Sequence, residues 1–231
     1  MPDYWTIFLE GNIQEMSSIQ CIIFDLDDTL VESGQAWIAA HSRLYEVLGQ
    51  KFYPEYLSKF LGMTALDIAR VVHSLFKVTQ YTPEECGDML RRFLLEGYDG
   101  NIKTMPGVPK FLQMTAGRFK LSIASGSPRE AIEATIKAKG WEKYFEGYIS
   151  SEEVEHGKPE PDVFLEAARR LNCKPKESLV IEDGLNGIVA AKKAGMYAFY
   201  VKNPLDPVAA SQADRSYLSL KEINLSDILS L

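Results

Sequence analysis

The chain has 231 residues, of which 46% are hydrophobic and 25% are charged, and its formal net charge is −7. This composition is typical of a globular protein with a sizeable core, and it excludes disordered and fibrous chains. The negative charge also argues against general binding to nucleic acid or to an anionic membrane, because both partners require clustered Lys and Arg.

The cysteines and the N-terminal segment bear on where the protein works. The chain has three cysteines, Cys21, Cys86 and Cys173. Because their number is odd and they lack metal-ligand spacing, we interpret them as reduced, structural thiols of a cytoplasmic protein. Asp3 and Glu10 interrupt the apolar core that a signal peptide needs, and no later segment approaches the roughly 18 apolar residues of a membrane span. We expect a cytoplasmic monomer without membrane contact, with residues 1–18 as an N-terminal extension.

Short apolar runs rich in β-branched residues alternate with helical patterns along most of the chain. The predicted strands are residues 19–25, 119–125, 147–151, 178–183 and 197–201. Between the second and third of them, "SPREAIEATIKAKG" predicts a helix in which Ser127 and Glu130 form a capping box and Gly140 follows the last turn. Two more helices are predicted over 161–172 and 187–195. This alternation predicts an α/β fold with a Rossmann-like, doubly wound parallel sheet.

Residues 34–97 break the alternation, because they contain helical patterns only. Helices are predicted over 34–49, 54–62, 64–77 and 82–97. Thr82 and Glu85 form a second capping box at the start of the last one. An all-helical block inserted into an α/β domain predicts a cap domain over 34–97 and a core domain made of 19–33 and 98–231. The connections near 28–33 and 98–107, the second of which contains Gly100, are then expected to act as hinges.

Polar residues follow four of the predicted strands, at the point where each strand ends. They are Asp25 and Asp27 after the first, Ser125 at the second, Lys158 beyond the third, and Glu182 and Asp183 at the fourth. Ligands of an open parallel sheet bind beyond the carboxyl ends of its strands, so these side chains are expected to share one crevice. The carboxylates would repel one another without a cation. Hard oxygen ligands suit Mg²⁺ better than Zn²⁺, so the sequence predicts a magnesium site.

Four segments carry a resemblance to a known family. In chain order they read "DLDDTL", "SIASGSPRE", "HGKPEPDVF" and "VIEDGLNGIVAAKKAGM". They resemble the four motifs of the haloacid dehalogenase superfamily, in its branch of phosphatases and β-phosphoglucomutases with a helical cap after the first motif. The resemblance runs from about residue 19 to the C-terminus, and residues 1–18 lie outside it.

The resemblance implies a role for each carboxylate. Asp25 would be the nucleophile that becomes an aspartyl-phosphate, and Asp27 would be the general acid and base. Mg²⁺ would be held by Asp25, the main-chain carbonyl of Asp27 and Asp183. Glu182 would act beside this site without binding the metal directly. Asp28 is interpreted as structural.

The resemblance also implies which groups hold the phosphate. Ser125, Lys158 and the main-chain N–H of Gly126 would bind its remaining oxygens. Thr29 would support the first loop by hydrogen bonding. Each of these residues also has a plainer explanation, since Asp and Ser at strand ends are often turn formers and a Lys is often a solvated surface residue. The ordered set of motifs favours the catalytic interpretation.

The cap loop bears on the choice between phosphatase and phosphomutase. By the resemblance, a mutase binds a second phosphate through a basic residue on this loop, which we place around Gly62. Neither Met63 nor Thr64 nor any other residue of 61–65 is basic. The same three residues, Gly62, Met63 and Thr64, are expected to contact the substrate and set specificity.

Two further departures favour a phosphatase. Mutases of this branch tend to have valine where Thr29 stands and a histidine near Trp37. We therefore predict a Mg²⁺-dependent phosphatase that acts on a small phosphorylated sugar, polyol or hydroxy acid. A phosphomutase remains the alternative, with Arg91 or Arg92 as the missing cap ligand. A module that binds a phosphorylated metabolite without turning it over is the alternative from another class.

Overall fold

Six parallel strands form the central sheet of the computed structural model, which describes residues 19–98 and 102–231. Their order across the sheet is β3-β2-β1-β4-β5-β6, so the chain starts in the middle and winds outwards in both directions. The strands are β1 (Cys21–Phe24), β2 (Lys120–Ser125), β3 (Gly147–Ser150), β4 (Ser178–Glu182), β5 (Tyr197–Val201) and β6 (Arg215–Tyr217). This is the doubly wound arrangement of dinucleotide-binding folds, and it confirms the predicted fold class. The predicted N-terminal extension and Gly100 lie outside the described residues.

Nine α-helices flank or follow the strands within the described part of the chain. They are α1 (Gly34–Val47), α2 (Ala65–Phe76), α3 (Pro83–Gly97), α4 (Val108–Thr115), α5 (Arg129–Lys139), α6 (Asp162–Arg170), α7 (Leu185–Lys193), α8 (Pro207–Gln212) and α9 (Leu225–Leu229). Short 3₁₀ helices occupy Pro54–Lys59, Ser151–Glu153 and Pro175–Glu177. None of the helices in the described ranges is long and apolar enough to cross a membrane.

Strand β1 is buried on both faces, which explains its continuous apolar sequence. Ile22 and Phe24 point into one apolar cluster, while Cys21 and Ile23 point into the cluster on the opposite face. This alternation ends where the ladder ends, with the N–H of Asp25 bonded to the carbonyl of β4 at 2.9 Å. The first carboxylate of the motif therefore emerges at the carboxyl edge of the sheet.

The structure corrects three of the predicted elements. Strand β6 was not predicted, because its three residues form an edge strand without an apolar run. The predicted helix over 54–62 is a 3₁₀ helix over Pro54–Lys59. Helix α5 begins after Pro128 without a side-chain cap, so the predicted capping box of Ser127 and Glu130 is wrong. By contrast, the box of Thr82 and Glu85 is confirmed at the start of α3.

Helices α1 to α3 and the first 3₁₀ helix form a block with its own apolar cluster. The buried members of this cluster come from residues 37–98, apart from Ala131 of α5. The apolar core of the block is therefore made almost entirely of its own residues. Its treatment as a separate cap domain stays a prediction.

His41 lies in the middle of this helical block with both ring nitrogens buried and without a hydrogen-bond partner among the described residues. Its ring stacks between Phe52 and Phe60, with centroid distances of 5.2 and 5.4 Å. Burial lowers the pKa of His41 from 6.5 to about 4. The folded protein therefore holds this imidazole neutral at a pH where the unfolded chain would protonate it.

We expect the stability of the protein to fall in acid partly because of His41. Its contribution is fully present above pH 6.5 and is lost as the pH falls towards 4, since only the unfolded state then gains the proton. The loss is about 3 kcal/mol, from about 1.4 kcal/mol for each pKa unit. Denaturant unfolding at pH 7 and pH 4.5 measures it in the wild type and in His41→Phe. The phenylalanine variant should lose distinctly less stability between the two pH values, and an unchanged loss would contradict the prediction.

Candidate active site

Three buried carboxylates meet at the carboxyl edge of β1 and β4. Asp25 follows β1. Glu182 ends β4 and Asp183 follows it, and the two strands pair through Phe24 and Ile181. One oxygen from each carboxylate lies within 4.8 Å of the others. The parallel pairing of β1 with β4 brings Asp25 close to Glu182 and Asp183, although they are far apart in the chain. The arrangement can hold a metal ion.

Lys158 lies against this cluster and is almost completely buried. Its Nζ donates to Asp25 at 2.6 Å, to Glu182 at 2.7 Å and to the carbonyl of Ala124 at 3.1 Å. An ammonium has three hydrogens, so each finds an acceptor and the buried charge is paired. The lysine also lies 4.9 Å from the ring centre of Phe164 on α6. Lys158 is thus fixed between two carboxylates of the site.

Burial and mutual repulsion govern the charges of the site. Burial raises the pKa of Asp25 well above its usual range, against the opposing effect of Lys158. Burial likewise raises the pKa of Asp183 to about 7, although Lys202 donates to this carboxylate at 2.7 Å. Burial by itself lowers the pKa of Lys158, but Asp25 and Glu182 together raise it above its ordinary value. A further cation would favour the ionised carboxylates.

Glu182 is fixed at both of its oxygens. Oε1 accepts from Lys158, and Oε2 accepts from the N–H of Gly184 at 2.9 Å. The side chain also lies against the backbone of α7, where a Cβ at Gly187 would be 1.7 Å from Oε1. Only glycine at position 187 leaves room for this carboxylate.

The side chain of Asp27 faces a different set of groups. Its Oδ1 accepts from the hydroxyl of Tyr98 at 2.5 Å, and its Oδ2 accepts from Ser127 at 2.6 Å and from Ser125 at 3.2 Å. The acidic cluster does not include this carboxylate within the described residues, and its main-chain carbonyl remains the predicted metal ligand. Ser127 donates its hydroxyl hydrogen to Asp27, and α5 begins one residue later, after Pro128.

Tyr98 is a site residue that the sequence analysis missed. It follows α3 at the end of the helical block and lies 71 positions from Asp27 in the chain. Burial raises the pKa of Tyr98 well above its usual value, and the charge of Asp27 adds to this effect. No local pattern around Tyr98 signals the contact, because it depends on how the block packs on the sheet.

The turn after β2 places Ser125 and Gly126 beside Asp27. The hydroxyl of Ser125 accepts from the N–H of Ser127 at 3.0 Å. Gly126 lies directly under the loop of the helical block, where a Cβ would be 2.6 Å from the carbonyl oxygen of Gly62 and 2.7 Å from that of Met63. A side chain at position 126 would therefore push the two parts of the chain apart.

Two residues of the first loop have structural positions. Asp28 adopts a left-handed conformation, with φ of 54°, and accepts from the N–H groups of Ser33 and Gly34 at 3.1 Å each. This agrees with a structural role. Thr29 is buried, and its hydroxyl has no hydrogen-bond partner among the described residues. The predicted support of the loop by a hydrogen bond of Thr29 is therefore wrong.

A small cavity lies above the carboxylates and below the helical block. It leaves about 30 Å³ of space for the centres of water molecules, so the block closely covers the site. Its lining residues are Asp25, Asp27, Asp28, Gly34, Trp37, Leu57, Phe60, Leu61, Gly62, Met63, Ile68, Gly126 and Asp183. Of the three predicted specificity residues, Gly62 and Met63 line the cavity. Thr64 instead caps α2 by accepting from the N–H of Asp67 at 3.1 Å.

Neither arginine of α3 lines this cavity. Arg91 forms ion pairs with Glu130 and with Glu152, the second at 3.3 Å. Arg92 lies over the ring of Phe93, at 5.2 Å from its centre. In this structure both side chains therefore make their contacts outside the cavity.

Comparisons with known proteins agree with this geometry. The family model of haloacid dehalogenase-like hydrolases matches residues 22–201. A phosphorylated carbohydrates phosphatase of Thermotoga maritima is 28% identical, over 79% of this chain and 84% of its own. A bifunctional riboflavin kinase/FMN phosphatase of Arabidopsis thaliana is 29% identical over 94% of this chain, which spans only 57% of that relative. The fold resembles a β-phosphoglucomutase of Clostridium difficile, with a TM-score of 0.81, 20% identity, and coverage of 92% and 96% of the two chains.

Proposed function

The chain belongs to the haloacid dehalogenase-like hydrolases, and we propose that it hydrolyses a small phosphorylated metabolite through an aspartyl-phosphate. The named relatives support a phosphatase. One observation carries this proposal. The carboxylate of Asp25 lies at the floor of a cavity, 2.6 Å from the ammonium of Lys158. A nucleophile and a group that can bind the phosphate oxygens thus stand side by side.

The proposed reaction has two steps. In the first, an oxygen of Asp25 attacks phosphorus, the ester P–O bond breaks, and the departing alcohol oxygen takes a proton from Asp27. In the second, water attacks phosphorus and gives a proton to Asp27, and the bond between phosphorus and Asp25 breaks. Inorganic phosphate and the free alcohol are the products.

We assign the phosphate oxygens to Lys158 and to the N–H of Gly126. Glu182 aligns Lys158, which would exchange its hydrogen bond to Asp25 for one to a phosphate oxygen. Ser125 donates its one hydroxyl hydrogen to Asp27 in this structure, so its predicted contact with the phosphate stays a prediction. Because Lys158 is buried, water screens its charge only weakly. Asp25 and Glu182 already pair this charge, so binding of an anionic phosphate would also depend on the metal.

The donor atoms of the cluster fit Mg²⁺, because they are buried carboxylate oxygens without nitrogen or sulfur. We propose that Asp25, Asp183 and the main-chain carbonyl of Asp27 hold this ion. Both oxygens of Glu182 already accept hydrogen bonds, so we assign Glu182 the task of orienting Lys158. When bound, Mg²⁺ would offset the repulsion between the anionic nucleophile and the phosphate.

A panel of phosphorylated metabolites assayed with Mg²⁺ tests the proposal. The relatives' names suggest its members, since they include phosphatases of fructose 1-phosphate, pseudouridine 5′-phosphate and validoxylamine A 7′-phosphate. We expect release of inorganic phosphate from a sugar, polyol or hydroxy-acid phosphate. A complete lack of phosphate release would favour the binding module instead.

A second arm of the panel separates phosphatase from phosphomutase. A mutase needs a cation to hold the second phosphate of its substrate, whereas the helical block contributes only uncharged residues to the cavity in the described structure, among them Leu61 and Met63. With β-glucose 1-phosphate and a bisphosphate primer, we expect inorganic phosphate at most and no appreciable glucose 6-phosphate. Formation of glucose 6-phosphate much faster than phosphate would contradict this and would point to Arg91 or Arg92.

We also propose a cytoplasmic location. Its support is the state of the three cysteines, all of which are free. Unpaired, largely buried thiols are typical of proteins in a reducing compartment. Fractionation of cells that produce the protein tests this point.

A further inference from the structure

The carboxylate of Asp27 is held by hydroxyl groups from two separate parts of the chain. Ser125 and Ser127 belong to the turn after β2, whereas Tyr98 ends the last helix of the helical block. Tyr98 is 7% exposed, and its ring packs within the apolar cluster of that block. The phenol therefore reaches the site from a fixed ring, and its hydroxyl has little freedom to move.

The three hydrogen bonds divide unequally between the two oxygens of Asp27. Oδ2 accepts from both serines, at 2.6 and 3.2 Å, so its two lone pairs are occupied. Oδ1 accepts only from Tyr98 among the described residues, at 2.5 Å. A carboxylate has about four acceptor positions in all. The position that remains is the second lone pair of Oδ1, on the same atom that the phenol binds.

We propose that Tyr98 is a positioning residue for acid–base catalysis, which sets the direction of the one free lone pair of Asp27 through its hydrogen bond to Oδ1. This inference rests on the proposed function, in which Asp27 moves the proton. The carboxylic proton of Asp27 passes from Oδ1 to the alcohol oxygen as the ester P–O bond breaks, and a proton from water returns there in the second step. The phenol keeps its own proton throughout. Loss of the phenol would leave the carboxylate held through Oδ2 alone, so Oδ1 would be less well aligned, and proton transfer depends strongly on such alignment.

The choice of leaving group gives a sharp test. An alkyl phosphate releases a basic alkoxide that needs the proton, whereas p-nitrophenyl phosphate releases a stable phenolate that does not. We compare Tyr98→Phe with the wild type by kcat/KM, which covers the steps up to loss of the alcohol. The substrates are p-nitrophenyl phosphate and the alkyl phosphate that the panel shows to be hydrolysed fastest. We expect a loss of at least about tenfold for the alkyl phosphate and less than about threefold for p-nitrophenyl phosphate.

Tyr45→Phe is the matched control. Tyr45 lies in the same apolar cluster, and its buried hydroxyl has no hydrogen-bond partner among the described residues. Its removal should leave both kcat/KM values unchanged. Tyr98→Leu provides a second variant without the hydroxyl, and thermal melts check that both variants are folded.

The outcomes separate this inference from the proposed function. Selective loss for the alkyl phosphate in the Tyr98 variants supports the positioning role. Equal losses for both substrates, or no loss for either, overturn it while wild-type phosphatase activity stands. A wild-type protein that releases phosphate from neither substrate would overturn the proposed function itself.

Discussion

Asp25→Asn is expected to yield a folded protein without measurable phosphatase activity. An amide cannot replace the carboxylate as the nucleophile, and loss of a covalent nucleophile removes several orders of magnitude in rate. The fold should persist because Lys158 keeps Glu182 as a charged partner at 2.7 Å. Phosphate release and a thermal melt, measured on the same preparation, check both halves of the expectation. Turnover near the wild-type rate in the folded variant would refute the assignment of Asp25.

Asp28→Asn is the matched control for this experiment. It makes the same change of carboxylate to amide in the same loop, and asparagine tolerates the left-handed conformation at this position. The carbonyl oxygen of the new side chain can still accept from Ser33 and Gly34. We expect this variant to retain most of its activity, so that a loss in Asp25→Asn alone identifies the nucleophile.

Removal of metal is expected to have an equally large effect. EDTA should abolish phosphate release, and excess Mg²⁺ should restore it, because Asp25 and Asp183 belong to a buried carboxylate cluster whose ligand atoms lie within 4.8 Å of one another. Ca²⁺ should support the reaction poorly, since it takes more ligands at longer distances than Mg²⁺. Full activity in EDTA would refute the metal-dependent reaction.

Binding of the metal can be measured without activity. An ion that binds only the folded state raises the melting temperature, and the rise grows with the ratio of its concentration to its dissociation constant. We expect Mg²⁺ to raise the melting temperature of the wild type and to do so only at much higher concentration in Asp183→Asn. An identical response of the two proteins would remove Asp183 from the metal site.

The site residues at strand ends could be predicted from the sequence. Asp25 and Lys158 are 133 positions apart, yet both follow strands of one parallel sheet, and such strands present their carboxyl ends at one edge. The five predicted strands are confirmed. Their apolar runs were recognisable in the sequence because the sheet is covered on both faces. The order β3-β2-β1-β4-β5-β6 comes from the structure, because the sequence analysis predicted a doubly wound sheet without an order of strands.

Contacts that depend on packing between distant parts of the chain could not be predicted from the sequence. Tyr98 reaches Asp27 only because the helical block covers the site, and its own sequence neighbourhood gives no sign of this. Ser127 has the local pattern of a helix cap, but in the structure the helix begins after Pro128 and the Ser127 hydroxyl donates to Asp27. Thr64 was assigned to the substrate, whereas the N-terminus of α2 uses its hydroxyl. In each case a tertiary or local partner decided between two roles that the residue type allows.

The fit between Glu182 and Gly187 limits how this sequence can change. Any side chain at position 187 would displace the carboxylate that holds Lys158, because a Cβ there would lie 1.7 Å from Oε1. Shortening Glu182 first would make room, but it would leave Lys158 without one of its two charged partners. A substitution at either position thus damages the site, so we expect active clones from a library of random mutants to retain both Glu182 and Gly187.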